Sequence, residues 1–529
     1  MSGVFYNLAA AGDILETLGI IALIIVLVVA ALIILSQFLK KTMIGKLASC
    51  IRQYKKATVL TPIFMVGEVI FELVVPLLMS KTVLEYLTEL SSPTAETWSL
   101  VMFNKKIVEL STAAPDFGYL ALCGLVLVLC GVMSFAFGTL SGIFCAKASA
   151  GFAGNLRHDL YYSVQNYSFS NIDKFSTSSL VTRLTTDVTN VQNAFMTIIR
   201  MGVRAPLMMI CSFTFSLSAF ATIGKAQLDS MTTVYLIVVP VLLVGLGTLM
   251  AIAMPMFNRI FKRYDALNES VQENIKGMRV VKAYVREDFE KQKFGKASEQ
   301  VRKDFTKAEK ILAFNNPLMM SAMYATQIAI FVICGRFGII HGNSEIVSKL
   351  QMLVSYSMSA LMSFMMLSMV FVMITFAFAS AKRICEVLDE KSDIVNPENP
   401  IMTVKDGSID FDNVSFKYSK KAEEYALSDI DLHIAPGETI GVIGGTGSSK
   451  TSLINLIPRL YDATCGEVKV GGVNVKDYDL KTLRDNVAVV LQKNLLFSGT
   501  IAENIRWGDK NASDEEVERV CKLAQADEF

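Results

Sequence analysis

The chain has 529 residues, 52% hydrophobic and only 19% charged, with a mean hydropathy of +0.44. That balance excludes a wholly soluble protein and puts part of the chain in lipid. A net charge of +1 gives no reason to expect a nucleic-acid partner, and nine cysteines without a C-x-x-C pair, beside three scattered histidines, argue against a disulfide or zinc framework.

Residues 19–39 carry no charge and are long enough to span a bilayer. Asp13 and Glu16 precede them, and Lys40, Lys41 and Lys46 follow, so this span runs from outside to inside. A cleaved signal peptide would want positive charge ahead of the apolar run, and none is there. Residues 60–80 return outward. They carry Glu68 and Glu72, four apart and so on one helix face. Two readings stand for that pair: a polar lining of a substrate path, or a structural pair held by a neighbouring helix or by the interface.

Residues 81–116 read as a polar outside loop, and 117–145 as the next inward span. Residues 147–200 are charged and helical. Spans follow at 201–223, outward, and 231–256, inward. A second charged helical stretch, 257–310, holds fourteen Lys and Arg between Arg259 and Lys310. The last two spans are 311–340 and 350–380. The basic excess lies in the two long loops and fixes them on the cytoplasmic side. Met362, Met366, Met369 and Met373 form one stripe of the last span. Such a stripe suits a greasy cavity, ordinary helix packing or lipid contact.

Residues 381–405 read as a polar linker. From Asp406 the character becomes soluble α/β. An alternating strand opens it, residues 466–475 are strand-turn-strand, 480–485 a short helix, and 487–491 a buried strand ending at Gln492. The most informative stretch lies between. Residues 439–443 are a β-branched apolar run, as in a buried parallel strand. Gly444, Gly445, Thr446, Gly447, Ser448, Ser449, Lys450, Thr451 and Ser452 follow, and apolar residues then recur at helical spacing to Leu460.

Glycines there would turn backbone N–H groups around phosphate oxygens at the positive end of a helix. Lys450 would reach the β- and γ-phosphates, and the Thr451 hydroxyl would hold Mg²⁺. The rival is a chance glycine-rich turn, against which the strand before and the helix after both argue. The pattern wants Gly before the Lys, and Ser449 stands there; a Ser fits without strain if its φ is negative.

Over roughly residues 46–529 the chain resembles a half-transporter of the ATP-binding cassette (ABC) exporter class, the multidrug and lipid exporters. The residues that carry the resemblance are Tyr418, the 444–452 loop and Gln492, which opens QKNLLFSGTIAENI. The resemblance implies that Tyr418 stacks on adenine, the loop binds phosphate, and Gln492 senses Mg²⁺ and the membrane domain. It also makes residues 171–188 and 273–287 coupling segments that dock on the nucleotide domain.

The implied fold is an α-helical membrane domain with six spans over 46–380, an extra N-terminal helix within 1–45, a linker at 381–405, and an α/β P-loop NTPase domain over 406–529. The signature segment of LSGGQ type, the strand ending in Asp-Glu and the switch histidine of that family are not in this sequence. The expectation is therefore a chain truncated within the nucleotide domain, with its general base beyond Phe529 and hydrolysis possible only in a longer chain. The resemblance implies ATP and Mg²⁺, a second half-transporter, a hydrophobic substrate and multi-pass insertion in the plasma membrane with the nucleotide domain in the cytoplasm. Its alternative is a regulatory, nucleotide-binding half with little hydrolysis.

Overall fold

The computed structural model describes residues 43–80, 97–102, 105–111, 117–223, 225–341, 345–419, 422–490 and 495–526. The span expected at 19–39 and the glutamine Gln492 lie outside them. The chain divides into two compact units: Met1–Gln165 with Thr177–Glu390, and Asn166–Ser176 with Lys391–Phe529.

The first unit is helical. Its elements are α1 (Met43–Ser49), α2 (Lys55–Leu78), α3 (Phe117–Gln165), α5 (Thr177–Thr182), α6 (Val188–Ile223), α7 (Lys225–Lys276), α8 (Met278–Ala283), α9 (Glu287–Leu312), α10 (Asn315–His341) and α11 (Glu345–Asp389). The short α4 (Phe169–Lys174) belongs to the second unit. Among the described residues, six helices are long and apolar enough to cross a membrane, by length and composition. They fall where the spans after residue 46 were expected.

A bilayer needs about 20 residues of helix. Helices α3, α7 and α11 have 49, 52 and 45, so each runs well past one bilayer thickness. On α3 the apolar Leu125, Val128, Val132 and Phe135 are exposed, as lipid-facing side chains must be. Two details differ from the sequence reading. Within the stretch expected to be loop-like, strands β1 (Thr97–Met102) and β2 (Lys105–Ser111) pair antiparallel. And α11 continues to Asp389, into the stretch read as linker.

Aromatic stacking and a few buried hydroxyls hold these helices together. Phe64 of α2 stacks on Phe144 of α3 at 5.4 Å, and Ser141 Oγ donates to the Thr61 carbonyl at 3.1 Å. Tyr356 of α11 donates to the Leu73 carbonyl at 2.7 Å. Tyr235 of α7 sits between Ser216 of α6 and Ser357 of α11, at 2.7 and 2.6 Å. In lipid, polar groups left without partners are costly, so such bonds fix neighbours.

Ions do the same. Arg204 of α6 bridges Glu68 and Glu72 of α2, reaching Glu72 at 2.7 Å. The carboxylate pair of α2 therefore has a named helix partner, as the structural reading required. Asp187, fully buried in a π-helical turn at Arg183–Asp187, is gripped by Arg383 of α11. On α11, Met362 and Met369 are exposed and Met366 and Met373 half-buried, so the methionine stripe lies at this unit's surface.

The second unit is built on one antiparallel sheet, order β4-β3-β5-β6, with β3 (Ile409–Phe416), β4 (Leu427–Ile434), β5 (Cys465–Val470) and β6 (Val473–Asn474). Its helices are α12 (Lys450–Leu456), α13 (Leu480–Asn486), α14 (Ile501–Ile505) and α15 (Asp514–Leu523). Phe411, Val414, Phe416, Val468, Tyr478 and Leu483 form its core. Asp479 caps α13, accepting from the Thr482 N–H at 2.9 Å, and its side chain also accepts from Asn396 at 2.6 Å.

The strands expected at 439–443 and 487–491 are corrected. Residues 439–443 form no strand and are exposed, Ile443 at 98%; residues 487–490 form no strand either, and Val490 is 91% exposed. A parallel strand exists only by hydrogen-bonding to neighbours. Among the described residues, the sheet is antiparallel and no strand flanks either run.

Candidate functional site

The stretch singled out by sequence, residues 444–452, forms a loop leading into α12. Two backbone features show why its residues are small. Gly447 has φ +85°, a conformation that costs glycine nothing. At Gly444 a Cβ would fall 2.5 Å from Ser448 Oγ, so a larger residue there would displace the serine hydroxyl. Ser448 supports the turn, its hydroxyl donating to the Gly445 carbonyl at 2.9 Å.

Ser449 is the exception. It sits immediately before α12 at φ +59°, ψ 24°, and makes no side-chain cap bond. The condition for a strain-free serine, a negative φ, is not met. A left-handed backbone crowds the Cβ of an L-residue against its own carbonyl.

Lys450 opens α12 and folds back over the loop. Its ammonium donates to the Gly444 and Gly445 carbonyls at 2.8 Å each and to Ser448 Oγ at 3.2 Å. Thr446 and Thr451 are exposed. Ser452 is buried, and its hydroxyl meets the Tyr418 hydroxyl at 2.7 Å. The structure thus brings the aromatic residue and the glycine loop together. Tyr418 is half exposed. Its ring stands edge-on to Phe416 at 4.8 Å and to Tyr461 at 5.3 Å.

The donor set fits a magnesium-bound polyphosphate. A narrow glycine cradle stands beside an ammonium whose partners among the described residues are neutral oxygens, and an exposed threonine hydroxyl lies on the first helical turn.

Tyr461 is a residue that sequence reasoning missed. Its hydroxyl donates to Asp173 of α4 at 2.6 Å, and Phe169 of α4 lies 6.0 Å from its ring. Burial first, then the bond to Asp173, raises its phenol above the ordinary value. The same α4 segment is tied to the stretch read as linker. Asn171 donates to the Lys391 carbonyl and to Asp393, both at 3.1 Å, and Ser170 donates to Asp393 at 2.7 Å. So part of the 171–188 stretch packs against Tyr461, the neighbour of Tyr418. No local periodicity marks Tyr461; only its distant partner does.

The family model described as "ABC transporter transmembrane region" matches residues 77–358, and the one described as "ABC transporter" matches residues 427–529. The chain is similar to the uncharacterized ABC transporter ATP-binding protein YfiB of Bacillus subtilis, at 34% identity over 80% of this chain and 72% of that protein. It is also similar to the uncharacterized ABC transporter ATP-binding protein MT1311 of Mycobacterium tuberculosis, at 29% identity over the same shares. The putative ABC transporter ATP-binding protein MG014 homolog of Mycoplasma pneumoniae aligns at 27% identity over 90% of this chain and 78% of its own length. A six-span helical region followed by a nucleotide-binding region, with both family models matched in that order, identifies the chain as a member of the ABC transporter family.

Proposed function

We propose that the chain is one half of a dimeric exporter that binds Mg²⁺-ATP at the 444–452 loop and moves a hydrophobic or amphipathic substrate out across the plasma membrane. The observation that carries this is the Lys450 ammonium, held over a glycine cradle by two carbonyls and a serine hydroxyl, all neutral, on the same chain as six span-length helices among the described residues. An ammonium so placed gains far more from a phosphate than from carbonyls. On binding, it would leave Gly444 and Gly445 and take the β- and γ-phosphate oxygens, with the loop N–H groups around them. Tyr418, already braced by Ser452, Phe416 and Tyr461, would offer its ring to adenine.

Thr451 is the described residue that would hold Mg²⁺, and Gln492 is proposed beside it. The ion, when bound, would neutralise phosphate charge. On this reading the membrane domain is 46–380, 381–405 links it to the nucleotide domain at 406–529, residues 1–45 add a helix, and a second half-transporter completes the molecule. The nucleotide domain is cytoplasmic, because the basic excess of the 147–200 and 257–310 stretches favours that side.

The test is photolabelling of the membrane-reconstituted chain with 8-azido-ATP. Labelling should map to the peptide that holds Tyr418 and vanish in Lys450→Ala. Equal labelling of the variant would end the assignment. A second reading, a regulatory half that binds nucleotide with little hydrolysis, is favoured by Ser449, whose left-handed backbone strains the loop that must order around phosphate. ATP binding without turnover, measured with the partner half present, would select it.

A further inference from the structure

The charged residues inside the helical bundle form a ladder. Glu68 and Glu72 lie one turn apart on α2, and Arg200 and Arg204 lie one turn apart on α6. Two acids and two bases could pair one to one, yet the structure shows a different arrangement. Arg204 takes both carboxylates, giving Nη1 to Glu68 and Nη2 to Glu72. As a result, Glu68 Oε2 and Arg200 Nε are both buried and without a hydrogen-bond partner among the described residues.

The two orphans face the same neighbour. The Glu68 carboxyl lies 3.0 Å from where a Cβ would stand on Gly138 of α3, and Arg200 Nη1 lies 3.9 Å from the corresponding point on Gly142. These glycines are also one turn apart, so Glu68 and Arg200 sit about 6 Å apart along the bundle. Neither glycine puts a side chain between them. Helices α2 and α6 run the same way, because α3 is the one span between them in the chain.

Arg204, one turn beyond Arg200, therefore stands about level with Glu68 and reaches across to Glu72. Moving α6 by one turn along α2, about 6 Å, would bring Arg204 level with Glu72 and Arg200 level with Glu68. Both orphans would then be satisfied, at the loss of the Arg204–Glu68 bond. Each arrangement satisfies what the other leaves bare, which is the condition for two discrete packings rather than a continuous slide.

We propose that Glu68, Glu72, Arg200 and Arg204 form a two-position ionic ratchet between α2 and α6. In the resting position Arg204 straddles both carboxylates. In the other, each carboxylate has its own arginine. Arg200 is the residue that makes the second position available. The link of the ratchet to nucleotide binding rests on the proposed ATP-driven function; the existence of the two positions does not.

The test places spin-labelled amino acids at Met79, just past the outer end of α2, and at Met196, on the inner part of α6, in the full chain in lipid nanodiscs. Both positions are exposed. Their separation lies mainly along the helices, so pulsed electron resonance reads the slide directly. Without nucleotide, Arg204→Gln should shorten the distance by about 6 Å, because Arg200 is then the remaining base for Glu68. The double variant Arg204→Gln with Arg200→Met should restore the original distance. An unchanged distance in Arg204→Gln, or an equal shift in the double variant, overturns the ratchet.

Should Arg204→Gln fail to fold, Arg200→Met decides. Mg²⁺-ATP with orthovanadate should produce the shorter distance in the unmodified chain and not in Arg200→Met, and the same shift in both would overturn the proposal. A chain that retains no ATP at all refutes the proposed function instead, and leaves the nucleotide-free comparison to judge the ratchet.

Discussion

Replacing Ser449 by Gly should tighten nucleotide binding. The residue holds φ +59°, ψ 24° at the junction of the glycine loop and α12. For a residue with a Cβ, that region costs about 1–2 kcal/mol. Glycine removes the cost but gives the unfolded chain more freedom, worth about 0.4–1 kcal/mol against the variant. No side-chain cap bond is lost, because the serine makes none. The backbone bond from the Leu453 N–H to the Ser449 carbonyl, at 3.1 Å, does not need a side chain. The difference is a gain of about 0.8 kcal/mol in the order of the loop, close to fourfold in affinity. Equilibrium binding of a fluorescent ATP analogue to the chain in nanodiscs would read it. Ser449→Ala is the control, since it keeps the Cβ and should stay within about twofold of the serine chain. Equal affinities for the glycine and alanine variants, or weaker binding by glycine, would refute the strain argument.

Arg204→Met should cost about 1.5–3 kcal/mol of stability, because it removes the charge-assisted bonds to Glu68 and Glu72. Adding Glu68→Gln and Glu72→Gln should recover most of that loss in a denaturation series. Tyr461→Phe should cost about 2 kcal/mol by removing the bond to Asp173. The Tyr461 phenol is raised above its ordinary 10.0 by burial and by Asp173, so its contribution is complete below about pH 10 and fades as the pH rises further. The phenylalanine variant should lose that alkaline fall in stability, and an unaltered fall would assign it elsewhere. Burial first, then the Asp159 carboxylate, push the Cys50 thiol up to about 11. Brief maleimide treatment at pH 7.5, read by mass spectrometry, should therefore modify the exposed Cys465 and spare Cys50.

Where the decisive forces are local, the sequence was legible. The spans after residue 46 follow from apolar length alone, and six helices of that kind are there. The pairs β5–β6 and the helix α13 follow from a Gly471–Gly472 turn and from the Asp479 cap. The loop was found from its glycines, and Tyr418 from the family resemblance; the structure places that tyrosine on Ser452.

Long-range partners were not legible. Glu68 and Glu72 gave their helix face, but Arg204, more than a hundred residues on, could not be named from spacing. Tyr461 and Asp173 are further apart still. The run 439–443 has the composition of a buried strand, yet composition supplies no neighbour to pair with, and Ile443 stands exposed. Serine 449 shows the finest limit. Its identity was plain, but the sign of its φ is set by the turn it must complete into α12.

The most direct test of the account is equilibrium binding of Mg²⁺-ATP to the chain in lipid nanodiscs, beside Lys450→Ala. Lys450 supplies an ammonium held over the glycine cradle. The account predicts saturable binding by the unmodified chain and at least a tenfold loss in the variant, the effect of removing roughly 1.4 kcal/mol or more of charge-assisted bonding. Binding of equal strength in both would contradict the assignment of residues 444–452 as the nucleotide site.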